Sequence, residues 1–131
     1  MKLTDRVAIV TGAGSGIGAA SAIAMAAEGA RVIVVDLNES RAKAVAEKIE
    51  KVGGQAVALT ADVTRAADNQ AAVERALATW GRLDVFYANA GVPQWKTDIE
   101  EVDEAVFDRI MAVNVKGVWL GAKSALPVMK R

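Results

Sequence analysis

Residues 9–18 read IVTGAGSGIG and place four glycines in seven positions directly behind an apolar run. Glycine at that density marks backbone that turns sharply or that something else approaches closely. The run in front of it, RVAIV (6–10), is short, apolar and ended by the glycines, which predicts a buried strand. Behind it, from Ile17, small residues recur at Ala20, Ala24 and Ala27. That is helical spacing, and an alanine face lets a helix lie close to a sheet. Strand, glycine turn and helix therefore form the opening unit.

The same alternation continues. Gly29 stops the first helix. RVIVV (31–35) is a second, β-branched strand. Asn38 is expected to cap a second helix with Ala42, Val45, Ala46 and Ile49 on one face, ended by Gly53 and Gly54. QAVALTA (55–61) reads as a third strand. Thr64 is expected to cap a third helix with Val73, Ala76, Leu77 and Trp80 inward, stopped by Gly81. LDVFYAN (83–89) reads as a fourth strand, followed by a loop with Gly91 and Pro93. Asp103 is placed to cap a last long helix that runs towards Pro127. Phe107, Ile110, Met111, Val118, Ala122 and Ala125 form its expected inner stripe, and Asn114 falls within it. An amide on a buried face must be hydrogen-bonded or it costs stability. Alternating strands and helices predict βαβ units and a parallel sheet, with right-handed crossovers placing helices on both faces. The fold class is α/β, a Rossmann-type doubly wound sheet in the order 3-2-1-4, built from residues 1–131 as a single domain.

Composition limits the chemistry. Hydrophobic residues make up 53% and charged residues 24%, so a folded core is expected rather than disorder. Sixteen basic and sixteen acidic residues cancel, which argues against a nucleic-acid or anionic-membrane surface. The sequence has no Cys and no His. Disulfides, thiol chemistry, the common zinc and iron sites and every Ser-His or Cys-His nucleophile are excluded, and no metal is expected. MKLTDR leads straight into a strand, and the stretch around AASAIAMAA is too short and too weakly apolar to span a bilayer. A soluble, cytoplasmic protein is expected.

Three ligands compete for the glycine loop. A P-loop needs Lys and Ser or Thr directly after its last glycine, but Gly18 is followed by Ala19 and Ala20. A dinucleotide loop fits better. The pattern T-G-x-x-x-G-x-G is met by Thr11, Gly12, Gly16 and Gly18, and Asp36 lies 20 positions beyond Gly16 at the end of the second strand. There an acid accepts hydrogen bonds from adenosine ribose hydroxyls and repels a 2′-phosphate. Neither Ser15 in the loop nor Leu37 after the acid supplies a compensating cation, so NAD is favoured over NADP. S-adenosylmethionine uses a similar loop and acid, and these residues alone leave it open.

TGAGSGIG, Asp36, ADV (61–63), ANAG (88–91) and NVKG (114–117) occur in that order. Together they resemble the short-chain dehydrogenase/reductase family over essentially the whole chain. The resemblance favours nicotinamide chemistry over methyl transfer, namely hydride transfer between a nicotinamide and an alcohol or ketone. It implies that Thr11, Gly12, Gly16 and Gly18 form the cofactor loop, with the Ile17 backbone near the pyrophosphate. It implies further that Asp62 and Val63 flank the adenine, and that Asn89, Ala90 and Gly91 lie beside the adenosine ribose. Asn114 matches the family's structural and catalytic asparagine. The family's usual first asparagine of the strand-4 motif is Ala88 here. Pro93 to Lys96, with Trp95, is the stretch expected near a substrate entrance. The resemblance also implies a homo-oligomer through the last helix.

The family's catalytic serine and its Tyr-x-x-x-Lys find no counterpart. Tyr87 is the only tyrosine and is followed four residues later by Gly91, while Ser124 falls on the last helix. The resemblance therefore implies the N-terminal, cofactor-binding part of such an enzyme, truncated before a fifth strand and inactive as 131 residues alone. A non-catalytic nucleotide-binding or interaction module is the alternative.

Overall fold

The computed structural model describes residues 1–95 and 98–131. Lys96, the far end of the stretch assigned to a substrate entrance, lies outside the described residues. The chain runs β1 (Val7–Thr11), α1 (Gly16–Ala27), β2 (Arg31–Asp36), α2 (Glu39–Lys51), β3 (Gln55–Thr60), α3 (Ala66–Trp80) and β4 (Val85–Tyr87). A 3-10 turn at Ile99–Glu101 leads into α4 (Glu104–Met111), a π-helical stretch (Ala112–Lys116) and α5 (Gly117–Met129). The four strands are parallel and ordered β3-β2-β1-β4. That is the order the alternating pattern predicts.

Side chains alternate across the two inner strands, and each face has its own core. Val10, Val32 and Val34 face α1 and α2, where they meet Ala22, Val45 and Ile49. Val7, Ile9, Ile33 and Val35 point the other way, onto Val73 and Ala76 of α3 and Ala125 of α5. β1 is buried along its whole length, which only a sheet covered on both faces achieves. Burying one such isoleucine is worth roughly 1.5–3 kcal/mol. Asn38 and Asp103 are the caps expected: each side chain accepts the N–H three residues on, from Arg41 and Val106.

Three local expectations are corrected. β4 spans three residues rather than seven, because only Val85, Phe86 and Tyr87 pair, and only with β1. Thr64 does not cap α3. Its N–H and hydroxyl both donate to Asp62 Oδ1, and the N-cap position falls to Arg65, which makes no side-chain cap bond. The last helix buries a different face from the stripe drawn on regular spacing. Val113, Gly117, Leu120, Gly121 and Ala125 are inward, while Phe107 is 56% exposed and Met111 and Val118 are 40% exposed. The π stretch is the reason. Its i→i+5 bonding holds an extra residue per turn and rotates everything after it. Among the described residues, no helix is long and apolar enough to cross a membrane.

At the opposite end of the sheet from the glycine loop, Asp84 fastens β4 to β1. Its Oδ2 accepts the Val7 N–H at 2.9 Å and Arg82 Nε at 2.8 Å, and Oδ1 accepts Arg82 Nη2 at 2.7 Å. Its own N–H donates to the Val7 carbonyl. The Arg82 hydrogen bonds hold the carboxyl well below its ordinary 3.8, at about 2. A depressed carboxylate stabilises the fold fully above its unfolded pKa, and that stability is lost as pH falls towards the folded value. Asp84→Asn is therefore expected to cost about 2 kcal/mol at pH 7 in urea unfolding. The gap between variant and native chain should close as pH drops from 4 towards 2.

Candidate functional site

The loops that leave the sheet at its C-terminal edge enclose a cavity of about 410 Å³. A tie between the first and fourth strands builds its floor. Thr11 is 3% exposed, and its hydroxyl oxygen accepts the N–H groups of Asn89 and Ala90, both at 3.0 Å. Asn89 Nδ2 returns hydrogen bonds to the carbonyls of Thr11 and Gly12, at 3.1 and 3.3 Å. Gly18 closes the joint from the helix side. A Cβ there would press on the Gly12 carbonyl oxygen and stand 2.5 Å from Asn89 Nδ2. Thr11 and Gly18 do not line the cavity; they hold the loop that does.

Gly12, Ser15, Gly16 and Ile17 bring the loop to the cavity wall. Ser15 is the N-cap of α1, yet its side chain makes no cap hydrogen bond and the first turn carries no acid. The first N–H groups of a helix lack an intrahelical acceptor and carry its positive end. Gly16 has φ 53°, and nothing lies within 4 Å of where its Cβ would stand. A bulky anion therefore has room above an uncapped helix start.

Two carboxylates stand on the neighbouring wall, and each is seated by N–H groups. Asp36 Oδ2 accepts from Gly14 and Oδ1 from Asn38, both at 2.9 Å. Each oxygen keeps a lone pair for a further donor. Asp62 Oδ1 accepts the Thr64 N–H at 2.9 Å and the Thr64 hydroxyl at 2.6 Å. Those two bonds hold its carboxyl below the ordinary value, with smaller help from Arg109 and Arg65, so it stays ionised near neutral pH. Leu37 and Val63 add apolar surface beside the two acids, and Ala90 and Gly91 close the far side.

The expected site residues are thus brought together, with three exceptions: Thr11, Gly18 and Asn114 lie off the wall. Asn114 was expected on a buried stripe, but it is exposed. Its amide is nonetheless paired at both ends. Oδ1 accepts the Val92 N–H at 2.8 Å, and Nδ2 donates to the Val92 carbonyl at 2.9 Å. The amide behaves like one rung of a β-ladder and pins the loop after β4 to the π stretch. Sequence reasoning missed four participants. Val92 and Val113 line the cavity, and Arg109 is the only basic side chain that does. Asn69, 3% exposed, donates to the carbonyls of Val63 and Arg65 and fixes the loop that carries Asp62. Only Asn69 gave any signal, as an amide on the inner face of a helix.

Comparison with known proteins places this geometry in a family. The family model for short chain dehydrogenase matches residues 6–131. The chain belongs to the short chain dehydrogenase family. An uncharacterized oxidoreductase of Thermotoga maritima is 41% identical over all of this chain, which covers 51% of that protein. The structure of a variant of a Serratia marcescens short-chain dehydrogenase/reductase superposes with a TM-score of 0.92 at 38% identity, over 98% of this chain and 53% of that one. A metagenomic short-chain oxidoreductase, solved in complex with NADP, also gives 0.92, at 34% identity over 98% of this chain and 58% of its own. The chain spans about half the length of the relatives it matches.

The Asn114 clamp can be tested directly. Asn114→Ala leaves both polar groups of Val92 without their partner. We expect the Val92 amide to lose hydrogen-exchange protection, with a global stability loss of about 1 kcal/mol because solvent can replace the lost bonds.

Proposed function

We propose that this chain is the cofactor-binding part of an NAD-dependent oxidoreductase, one that moves a hydride between a nicotinamide and an alcohol or ketone. The observation that carries the reading is the Asp36 carboxylate. It stands at the end of β2 beside the uncapped start of α1, fixed by two N–H groups with lone pairs to spare. Ribose hydroxyls suit that acceptor, and a 2′-phosphate does not. The metagenomic relative was solved with NADP; family membership alone therefore leaves the 2′-phosphate undecided, and here the charge of Asp36 argues for NAD.

The residues fit the group. Gly16 and Ile17 would receive the pyrophosphate on the first-turn N–H groups of α1. Asp36 and Leu37 would hold the adenosine ribose, Asp62 and Val63 the adenine, and Asn89, Ala90 and Gly91 the cavity side of that ribose. The bound nicotinamide supplies or accepts the hydride. Asn114 serves as a positioning residue, because it fixes the loop at Val92 against which the cofactor would rest. Proton transfer at the substrate oxygen is assigned to no residue of this chain. Its one tyrosine, Tyr87, packs against the core from β4. The exposed Phe107, Met111, Val115 and Trp119 on α4, the π stretch and α5 support a second copy of the chain as the partner on that face.

Titration calorimetry with NADH, NADPH and S-adenosylmethionine tests the reading. NADH is expected to bind at least tenfold more tightly than NADPH, a difference of about 1.4 kcal/mol. S-adenosylmethionine should give no heat, and Asp36→Ala should abolish the NADH preference. No heat with millimolar NADH would overturn the proposal. The 131-residue chain alone is expected to oxidise no alcohol with NAD, even where NADH binds.

A further inference from the structure

We infer that Gly14 sets the choice between NAD and NADP through the seat it makes for Asp36, with Arg41 as the cation that would meet a 2′-phosphate. The inference rests on the NAD reading above and deepens it. Gly14 does not line the cavity, so the pyrophosphate does not explain it. Its backbone does not explain it either: the glycines at positive φ are Gly12, Gly16, Gly29, Gly53 and Gly81, and Gly14 is absent from that set. What demands glycine is the neighbour. A Cβ at position 14 would stand 2.7 Å from both Cγ and Oδ2 of Asp36, and 2.8 Å from Cβ of Arg41. Real atoms do not approach so closely, so one of the two neighbours must move.

The geometry decides which one. Arg41 Cβ belongs to the first turn of α2, whose start is fixed by the Asn38 cap on the Arg41 N–H at 3.0 Å. The next residue, Ala42, is 1% exposed in the core. The Asp36 carboxylate hangs on one rotatable arm and is held only by the N–H groups of Gly14 and Asn38. A methyl group at position 14 therefore displaces the carboxylate and breaks its bond to the Gly14 N–H. The corner that receives the ribose 2′-oxygen then loses both its acceptor and its negative charge. Arg41 remains. Its side chain is exposed and carries no ion pair or side-chain hydrogen bond. It roots within 3 Å of the same point as the acid. With the acid displaced, the nearest charge at that corner is a guanidinium, which suits phosphate.

The test measures dissociation constants for NADH and NADPH on the native chain and on Gly14→Ala, Gly14→Ser and Gly14→Ala/Arg41→Gln, with melting temperatures alongside. Gly14→Ala and Gly14→Ser are expected to weaken NADH roughly tenfold while NADPH holds or tightens, so that the ratio of the two constants shifts at least tenfold. Adding Arg41→Gln should remove the NADPH binding of Gly14→Ala and leave its NADH binding near the same value. Equal weakening of both dinucleotides, or no change in either, overturns the inference. So does loss of folding in both single variants, because that would mean that α2 gives way rather than the carboxylate. If the native chain binds neither dinucleotide, the proposed function fails. If it binds NADPH better, the Asp36 argument fails while nucleotide binding stands. Both outcomes are read on the native chain, before any variant.

Discussion

The Thr11 hydroxyl accepts two consecutive N–H groups, of Asn89 and Ala90, at the point where β1 and β4 stop pairing. A parallel sheet must release its strands somewhere, and the backbone groups freed there need partners. Here one side chain on β1 satisfies two donors of the chain leaving β4. The Asn89 amide repays the debt to the carbonyls of Thr11 and Gly12. The joint holds two loops apart at a fixed width, and that width is the cavity. Gly18 shares in it, because a helix carrying any side chain at that position could not start so close to the Gly12 carbonyl.

Charge is then distributed around a rigid opening. The start of α1 offers uncapped N–H groups and the positive end of a dipole. Asp36 and Asp62 present negative charge a short distance along the same wall. Such a site suits a ligand with an anionic middle and a neutral, hydroxyl-bearing flank. A uniformly anionic ligand would meet two carboxylates, and a cation would meet the helix start. Both acids are seated by N–H groups that the fold supplies at 2.9 Å. They are ordered before anything binds, and little side-chain entropy remains to be lost on binding.

The first three βα units could be read from the sequence because each level of signal agreed there. β-branched runs, inward alanines, Asn38 and the terminal glycines all point to the same elements, and the structure keeps them. The fourth strand was drawn too long, because apolar character continues past the residues that find a partner, and pairing needs a neighbour on at least one side. Thr64 looked like a cap because its residue type favours one. Its hydroxyl went instead to Asp62, a choice that depends on where the loop turns and not on residue type. The last helix resisted reading most. A π stretch leaves no mark on hydrophobic spacing except as a stripe that fails partway along, and a stripe drawn straight through it places Asn114 inside. Arg109 could not be found at all, since only the tertiary fold brings that turn of α4 over the cavity.

The glycines of the loop divide their work, and that division bears on how such loops are read. Gly18 is needed for packing between helix and loop, Gly16 leaves open space at the helix start, and Gly14 makes room for an acid 22 residues away. A motif that counts glycines treats these as one requirement. The structure separates them by what each missing side chain would touch: a carbonyl oxygen, nothing, and a carboxylate. Only the last contact links the loop to the residue that would discriminate between two nearly identical ligands. Recognition of the adenosine end is therefore written partly into the pyrophosphate loop. A change at position 14 would act on a ribose that the position does not itself touch.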